Sequence, residues 1–436
     1  MSRDSQLVMT SPDTAFRSLC QQSTVASLTE LTTAIAQDSP RGLLPIGHGS
    51  SDSDVADNAG GTLIALSDRL ADPAVEWIDW EHSVARVSAG ASIRAVCEQL
   101  LANGWIPAIV PANEAGTVGG WLATDDAGIF ARRSGSIADC TTAIELVTSD
   151  GSIHRLEPDH ASFRATIGGL GLTGIIVAAE IRIAPVQTAW MLVDTTVHDS
   201  VDQLLEQIER HPSSTHGWIV TSDKREQRIL GRQISWARVD DLPPNRQTEA
   251  RTMPPTQPTA HPGRLRRLTT NTPAARVDEL LPCATALFHP PTSEPDDSNR
   301  LRYRCALPDT QRATVLTIIE QLTTACAETN AQLRVHAGSG DTHAMLGTSH
   351  LGWRIDCRGL YPRSATGEAL AAVDDLVQSA NGRITLGDDA RVLPDVVREM
   401  FDEFDDWIQL RQRLDPDARL QSNAGRRLGL LGGDSW

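Results

Sequence analysis

Residues 45–61 read PIGHGSSDSDVADNAGG, and the reading of this stretch decides the fold. Gly47 and Gly49 remove Cβ atoms, so the backbone can turn tightly and present successive amides to an anion; Ser50 and Ser51 add hydroxyl donors. Such a loop suits a pyrophosphate, although a G-x-G-S-S string by itself fits an ordinary surface turn equally well. Its downstream neighbours in the chain separate the two. An apolar run at 63–66 comes directly after the loop. Two alternating segments, VEWIDW at 75–80 and SVARVSAGASI at 83–93, then read as short strands. Residues 93–102 carry Val96, Leu100 and Leu101 near helical spacing. Three further blocks complete the series: PANEAGTVGGWLATDDAG at 111–128, RRSGSIADCTTAIELVTSDGSIHRL at 132–156 and FRATIGGLGLTGIIVAAEIRI at 163–183. Within the second, Asp150-Gly151 predicts a hairpin turn.

Composition bounds the function. At 436 residues the chain has material for two or three domains. A net charge of -17 argues against nucleic-acid binding and against a basic membrane-docking face. Lys224 is the sole lysine, so almost every positive charge is an arginine. The seven cysteines are scattered without C-x-x-C spacing, which indicates neither a disulfide framework nor a zinc site. Residues 1–16 lack an apolar signal segment and no run reaches the length of a membrane span, so a soluble, cytoplasmic protein is expected.

Further along, Gly169-x-Gly171-x-x-Gly174 matches the dinucleotide fingerprint by letter, but a strand-like IIVAAEIRI succeeds it where a helix is required, which excludes a Rossmann turn. Residues 24–38 predict an amphipathic helix, and 175–186 a strand ending at Pro185, where the chain is expected to leave its first domain. From 188 to 382 helices at 201–210 and 312–329 alternate with strands at 217–221 and 301–307. The proline-rich 239–265 and the polar 289–300 are expected to be loops, the first long and mobile. One helix is predicted over 394–414, with Val397, Met400, Phe401, Phe404, Trp407 and Ile408 on its apolar face.

These blocks, in this order, resemble the FAD-binding half of the vanillyl-alcohol-oxidase/p-cresol-methylhydroxylase flavoprotein superfamily, and most of all its ribose-oxidising members, from about residue 28 to 430. The resemblance implies an α+β fold: a two-lobed FAD-binding domain at 1–187 and 383–436, with an inserted antiparallel-sheet substrate domain at 188–382. It implies FAD contacts at Gly47, His48, Gly49, Ser50, Ser51, Asp52, Ala112, Thr117, Val118, Gly119, Gly120, Thr124, Ala127, Ile176 and Thr385. Relatives that tether FAD do so through a histidine following the second loop glycine, where this chain has Ser50, so non-covalent FAD is expected. Asp52 and Asp54 would repel a pyrophosphate unless the loop turns them away.

The departures from that family are chemical. Its histidine below the flavin corresponds to Ala127, and its flavin-side lysine to Asp388. A Q-x-Q pair becomes Arg302 and Arg304, and an N-x-C pair becomes Arg354 and Asp356. Arg302 and Arg304, two apart on a predicted strand, share one face and could join Arg354 in a cationic cluster. Asp125, Asp126, Asp356 and Asp388 would supply carboxylates. Asp388, Arg302, Arg304, Arg354 and Asp356 are therefore the candidate catalytic residues, with His343 and His350 as candidate replacement bases. Arginine forks suit carboxylates and phosphates, so the expected activity is FAD-dependent oxidation of a small anionic or polar molecule. The alternative is a fold that has kept its shape and lost redox chemistry, its arginines and aspartates neutralising one another.

Overall fold

The structure, a computed structural model, describes residues 5–10, 17–51, 53–66, 68–111, 116–126, 128, 130–221, 227–253, 276–288, 301–326, 332–338, 343–348, 352–360, 364–389 and 391–432. The expected loop 289–300, Lys224 and His350 lie outside them, as do Asp52, Ala112 and Ala127.

Three sheets organise the chain. The first, of four strands, runs Ser5–Thr10, Arg17–Val25, Thr62–Leu66, Leu43–Ile46, the last three parallel to one another. The helix beside it is Leu28–Ala36, shorter than the expected 24–38, because Thr24 and Val25 complete a strand. Its start is written locally: the Ser27 hydroxyl accepts from the amide of Glu30, whose carboxylate accepts from the amide of Ala26.

In the second sheet the order is Val75–Asp79, Val84–Ser88, Ile175–Pro185, Thr141–Val147, Ile153–Leu156, with Trp105–Pro107 also on Ile175–Pro185. Ile175–Pro185 is its centre, and buried residues along it alternate with Glu180 and Arg182 near the far end. The strand expected over 83–93 stops at Ser88, because Ser92 caps the helix Ile93–Ala102, its hydroxyl accepting from the Ala95 amide.

The third sheet is antiparallel throughout and has eight strands: Arg276–Pro282, Trp190–His198, Gln227–Trp236, Thr215–Thr221, Gln332–Ala337, Trp353–Leu360, Leu301–Leu307, Arg383–Ile384. Period-2 alternation gives it two unlike faces. Tyr303, Cys305, Leu333, Val335, Ile355 and Cys357 share one apolar core with Val315, Ile318 and Leu322 of the helix Arg312–Cys326 and Val373 and Val377 of Ser364–Ser379. Arg302, Arg304, Arg334, His336, Arg354 and Asp356 alternate with them and so take the other face.

Two expectations are corrected. Part of the expected mobile loop, 239–253, is ordered: Leu242 and Ala250 are buried with Trp190 and Ala237, and Arg246 stacks 4.2 Å from the Trp190 ring. Two isolated apolar residues suffice to dock it although no period is visible; 254–265 lie outside the described residues. The helix expected over 394–414 is two, Pro394–Met400 and Phe404–Leu414. At the break Phe401 is buried beneath Arg383, and Glu403 pairs with Arg164 at 2.6 Å, so tertiary contacts replace helical hydrogen bonds there.

Candidate active site

A large cleft collects sequence blocks from both ends of the chain. Residues 47–51, Thr117, Gly119, Gly120, Thr124, Gly171, Gly174 and Ile176 line it, as do Asp126, Arg302, Arg304, Arg358, Gly387 and Asp388.

The glycine-rich lining depends on close backbone approach. A Cβ on Gly47 would lie 2.3 Å from Thr117 Oγ1, so only glycine lets the loop 47–51 meet the turn that starts the helix Val118–Thr124. Gly171 has φ +75°, and a Cβ there would press on Pro45 at 2.9 Å. Residues 47–50 are exposed at the cleft, while Ile46, Ile64, Leu66, Ile93, Trp121 and Ile175 supply apolar lining. A glycine-rich loop beside apolar walls fits a ligand with flat rings joined by a pyrophosphate, which is the chemistry of FAD. Val118 and Thr385 are buried outside this lining; the Thr385 amide donates to the Arg304 carbonyl, which steadies that strand.

The loop also turns its charge away. Asp54 is 2% exposed, and Arg427 donates to both its oxygens at 2.8 and 3.0 Å. The expected repulsion between Asp54 and a pyrophosphate is thereby removed by a guanidinium from the C-terminal end of the chain. Ser51 and Ser53 hydroxyls donate to the Gly387 carbonyl at 3.2 and 2.9 Å, and Asp389 accepts from the amides of Arg391 and Val392. The glycine loop and the turn bearing Asp388 are therefore one rigid unit.

The ionic lining is a network. Arg302 holds Asp356 with two bonds, 3.0 and 2.9 Å, and reaches Asp388 at 3.1 Å. Arg304 donates to Asp126 at 2.8 Å; its Nε lies 3.1 Å from Asp388, an ion-pair distance without hydrogen-bond alignment. Arg358 stands 3.4 Å from Asp356. Burial alone would raise the Asp356 carboxyl, but Arg302, Arg358 and Arg304 together hold it well below the usual carboxylate range. For Arg304, burial and Arg302 disfavour the charge, yet Asp126, Asp388 and Asp356 outweigh them and its pKa rises. Four of the five candidate catalytic residues thus meet in one cluster. Arg354 sits apart from the lining, 2% exposed, with Nη2 donating to Thr348 Oγ1 at 3.3 Å.

His343 is not among the cleft-lining residues: its side chain is 56% exposed, 3.9 Å from Asp139. Sequence reasoning misses Arg358, Arg427, Arg334 and His336. Arg358 is visible in the alternation R-x-D-x-R at 354–358; nothing local marks Arg427, whose partner Asp54 lies 373 residues away.

Comparison with known proteins agrees with this geometry. A family model described as an FAD binding domain matches residues 24–157, which with the relatives below supports the FAD-binding oxidase superfamily; the cofactor is FAD and the coarse activity that of an FAD-dependent oxidoreductase. Among individual proteins it is similar to decaprenylphosphoryl-beta-D-ribose oxidase of Mycolicibacterium smegmatis, 27% identical over 430 residues that cover 92% of each chain. It is also 27% identical over 378 residues to an uncharacterized protein of Streptomyces coelicolor, covering 78% of this chain and 100% of that one. A shorter match to human Delta(24)-sterol reductase is 33% identical over 110 residues, 25% of this chain and 21% of that protein. Among the described residues no helix is long and apolar enough to cross a membrane.

Proposed function

We propose that the protein oxidises a small anionic molecule, a carboxylate, a phosphate or a sugar derivative bearing one, with non-covalently bound FAD. The observation that carries this reading is the ionic lining at the cleft: Arg302, Arg304 and Arg358 beside Asp126 and Asp388, with Asp356 bonded to Arg302. Residues 188–382, which hold most of the third sheet and its helices, act as the substrate domain, and 1–187 with 383–436 as the FAD-binding domain. FAD supplies the hydride acceptor. The chain's part is to orient the substrate's anionic group on the guanidinium forks, to hold Asp388 as a carboxylate between Arg302 and Arg304, and to exclude water behind Trp121 and Leu170. Asp388 accepts the hydroxyl proton through an oxygen that an incoming substrate frees from Arg304, with which it is not aligned.

A second reading is favoured by the same pairs. Because each arginine already has a carboxylate, the network can equally be a filled wall in a protein without redox turnover.

One experiment separates them. Purified protein mixed anaerobically with a panel of hydroxycarboxylates and sugar phosphates should lose its flavin absorbance with at least one. Decaprenylphosphoryl ribose should leave it unchanged, and acid precipitation should release all flavin to the supernatant. Persistent absorbance across the panel, or bleaching by the lipid-linked sugar alone, would overturn the anionic-substrate reading; flavin retained on the precipitate would overturn the non-covalent one.

A further inference from the structure

The arginines around the cleft are not equally committed to their partners. On the polar face of the third sheet Arg302, Arg304, Arg334, Arg354 and Arg358 act on one another and on four carboxylates, Asp125, Asp126, Asp356 and Asp388. Among the described residues this set carries one more positive charge than negative. The excess falls where a carboxylate is shared. Arg302 takes both oxygens of Asp356 through two hydrogen bonds, at 3.0 and 2.9 Å, whereas Arg358 reaches one oxygen of the same group at the longer 3.4 Å.

Position singles out the same residue. Arg358 follows Asp356 by two residues on Trp353–Leu360, so it stands on the polar face, opposite Arg302 on one neighbouring strand and Gln332 on the other. Across the pair with Arg302 it meets a like charge, which no fold gains from. Its side chain is 32% exposed, against 11% for Arg302 and 8% for Arg304. Arg358 lines the cleft, whereas Arg334 and Arg354 are buried and absent from the lining. Among the described residues its ion pair is the one with Asp356, which leaves most of its N–H fork available to a ligand in the cleft.

We propose that Arg358 is the residue of the cleft that anchors the substrate, and that the group it holds is a carboxylate, so that the substrate class is a hydroxy acid. This rests on the reading of the cleft as a substrate site and deepens it by separating the arginines: Arg302 and Arg304 hold Asp126, Asp356 and Asp388 in place, and Arg358 selects the ligand. A carboxylate brings one negative charge, which balances the single excess cation. A doubly charged phosphate overshoots that balance and is opposed by Asp356 and Asp388. The planar guanidinium also matches a carboxylate with two parallel hydrogen bonds. Asp356 loses little when Arg358 turns to a ligand, because both of its bonds to Arg302 remain.

The test titrates the FAD-loaded protein, at about pH 8 and constant ionic strength, with sodium acetate, sodium phosphate or sodium chloride, and reads the absorbance of the bound flavin and the Tm. Acetate should perturb the flavin spectrum saturably and, at tenfold excess over its dissociation constant, raise the Tm by about 1–2 °C. Phosphate should act about tenfold more weakly, and chloride not at all. Arg358→Gln should purify with the wild-type flavin content and move the acetate midpoint up about tenfold, and Arg358→Lys should recover part of that loss because it restores the charge without the fork. An Arg358→Gln protein with the wild-type acetate midpoint would refute the role of Arg358 and leave the anionic-substrate reading standing. So would one that purifies without flavin, since Arg358 would then be a cofactor contact. Phosphate binding tighter than acetate would refute the hydroxy-acid class, and a wild-type protein indifferent to both anions would refute this proposal and the anionic-substrate reading together.

Discussion

The cleft has two linings built on different physics. The glycine-rich one, from the first 176 residues, uses backbone: missing Cβ atoms at Gly47 and Gly171 allow close approach. The ionic one, from the third sheet and the turn at 385–389, uses full charges on long side chains that are mutually neutralised. The first tolerates little substitution yet contributes no buried charge. The second tolerates a change of chemistry, as the resemblance to a family with amides and a lysine there implies, but each member depends on its partners. On the proposed reading, cofactor binding is set by shape and substrate choice by charge.

That contrast predicts unequal sensitivities. Arg302→Met should have the largest effect, because it removes the bidentate partner of Asp356 and one of the two arginines at Asp388; unfolding by urea should show a loss of about 3–5 kcal/mol. A loss below about 1 kcal/mol would mean that water reaches these carboxylates and that the ionic lining is no more committed than a surface.

Next comes Gly47→Ala, whose methyl group meets Thr117 Oγ1 and must push the loop aside at about 1–3 kcal/mol. Its signature is different: the protein should fold but purify with much less flavin, measured by the ratio of flavin to protein absorbance. Full flavin content in this variant would show that shape is not what the glycine lining supplies.

The smallest effect is on pH dependence. Burial first, then Arg334 and Arg354, push His336 well below its ordinary value, against the favourable pull of Asp356, and His216 stacks beside it. His336 is therefore neutral in the fold, while the unfolded chain takes up a proton below about pH 6.5. Stability attached to this group is complete above that pH and is lost as pH falls towards the folded value, at up to about 1.4 kcal/mol per pH unit. His336→Gln should flatten urea midpoints plotted between about pH 5 and 6.5. An unchanged slope would place the sensitivity elsewhere on the sheet.

Much of the frame is legible in local patterns. The helices Ile93–Ala102 and Val201–Arg210 and the strands Ile175–Pro185 and Leu301–Leu307 follow from periodicity, caps and the proline that ends a strand. The pairing of Arg302 and Arg304 on one face follows from a period of two. Period alone carries a helix straight through 401–403, wrongly, because the break is stabilised by Arg164 and Arg383, which no window around it contains.

By itself, the sequence determined the glycine loops and the alternation that gives the third sheet a polar and an apolar face. These are local properties, set by backbone sterics and spacing along a few residues. Only the tertiary structure decided which charges neutralise which. Arg302 meets Asp388 across 86 residues, Arg304 meets Asp126 across 178 and Arg427 meets Asp54 across 373, so each pairing waits on sheet register and on the return of the C-terminal helices. Electrostatic energy depends on distance in space and on burial, neither of which distance along the chain reveals.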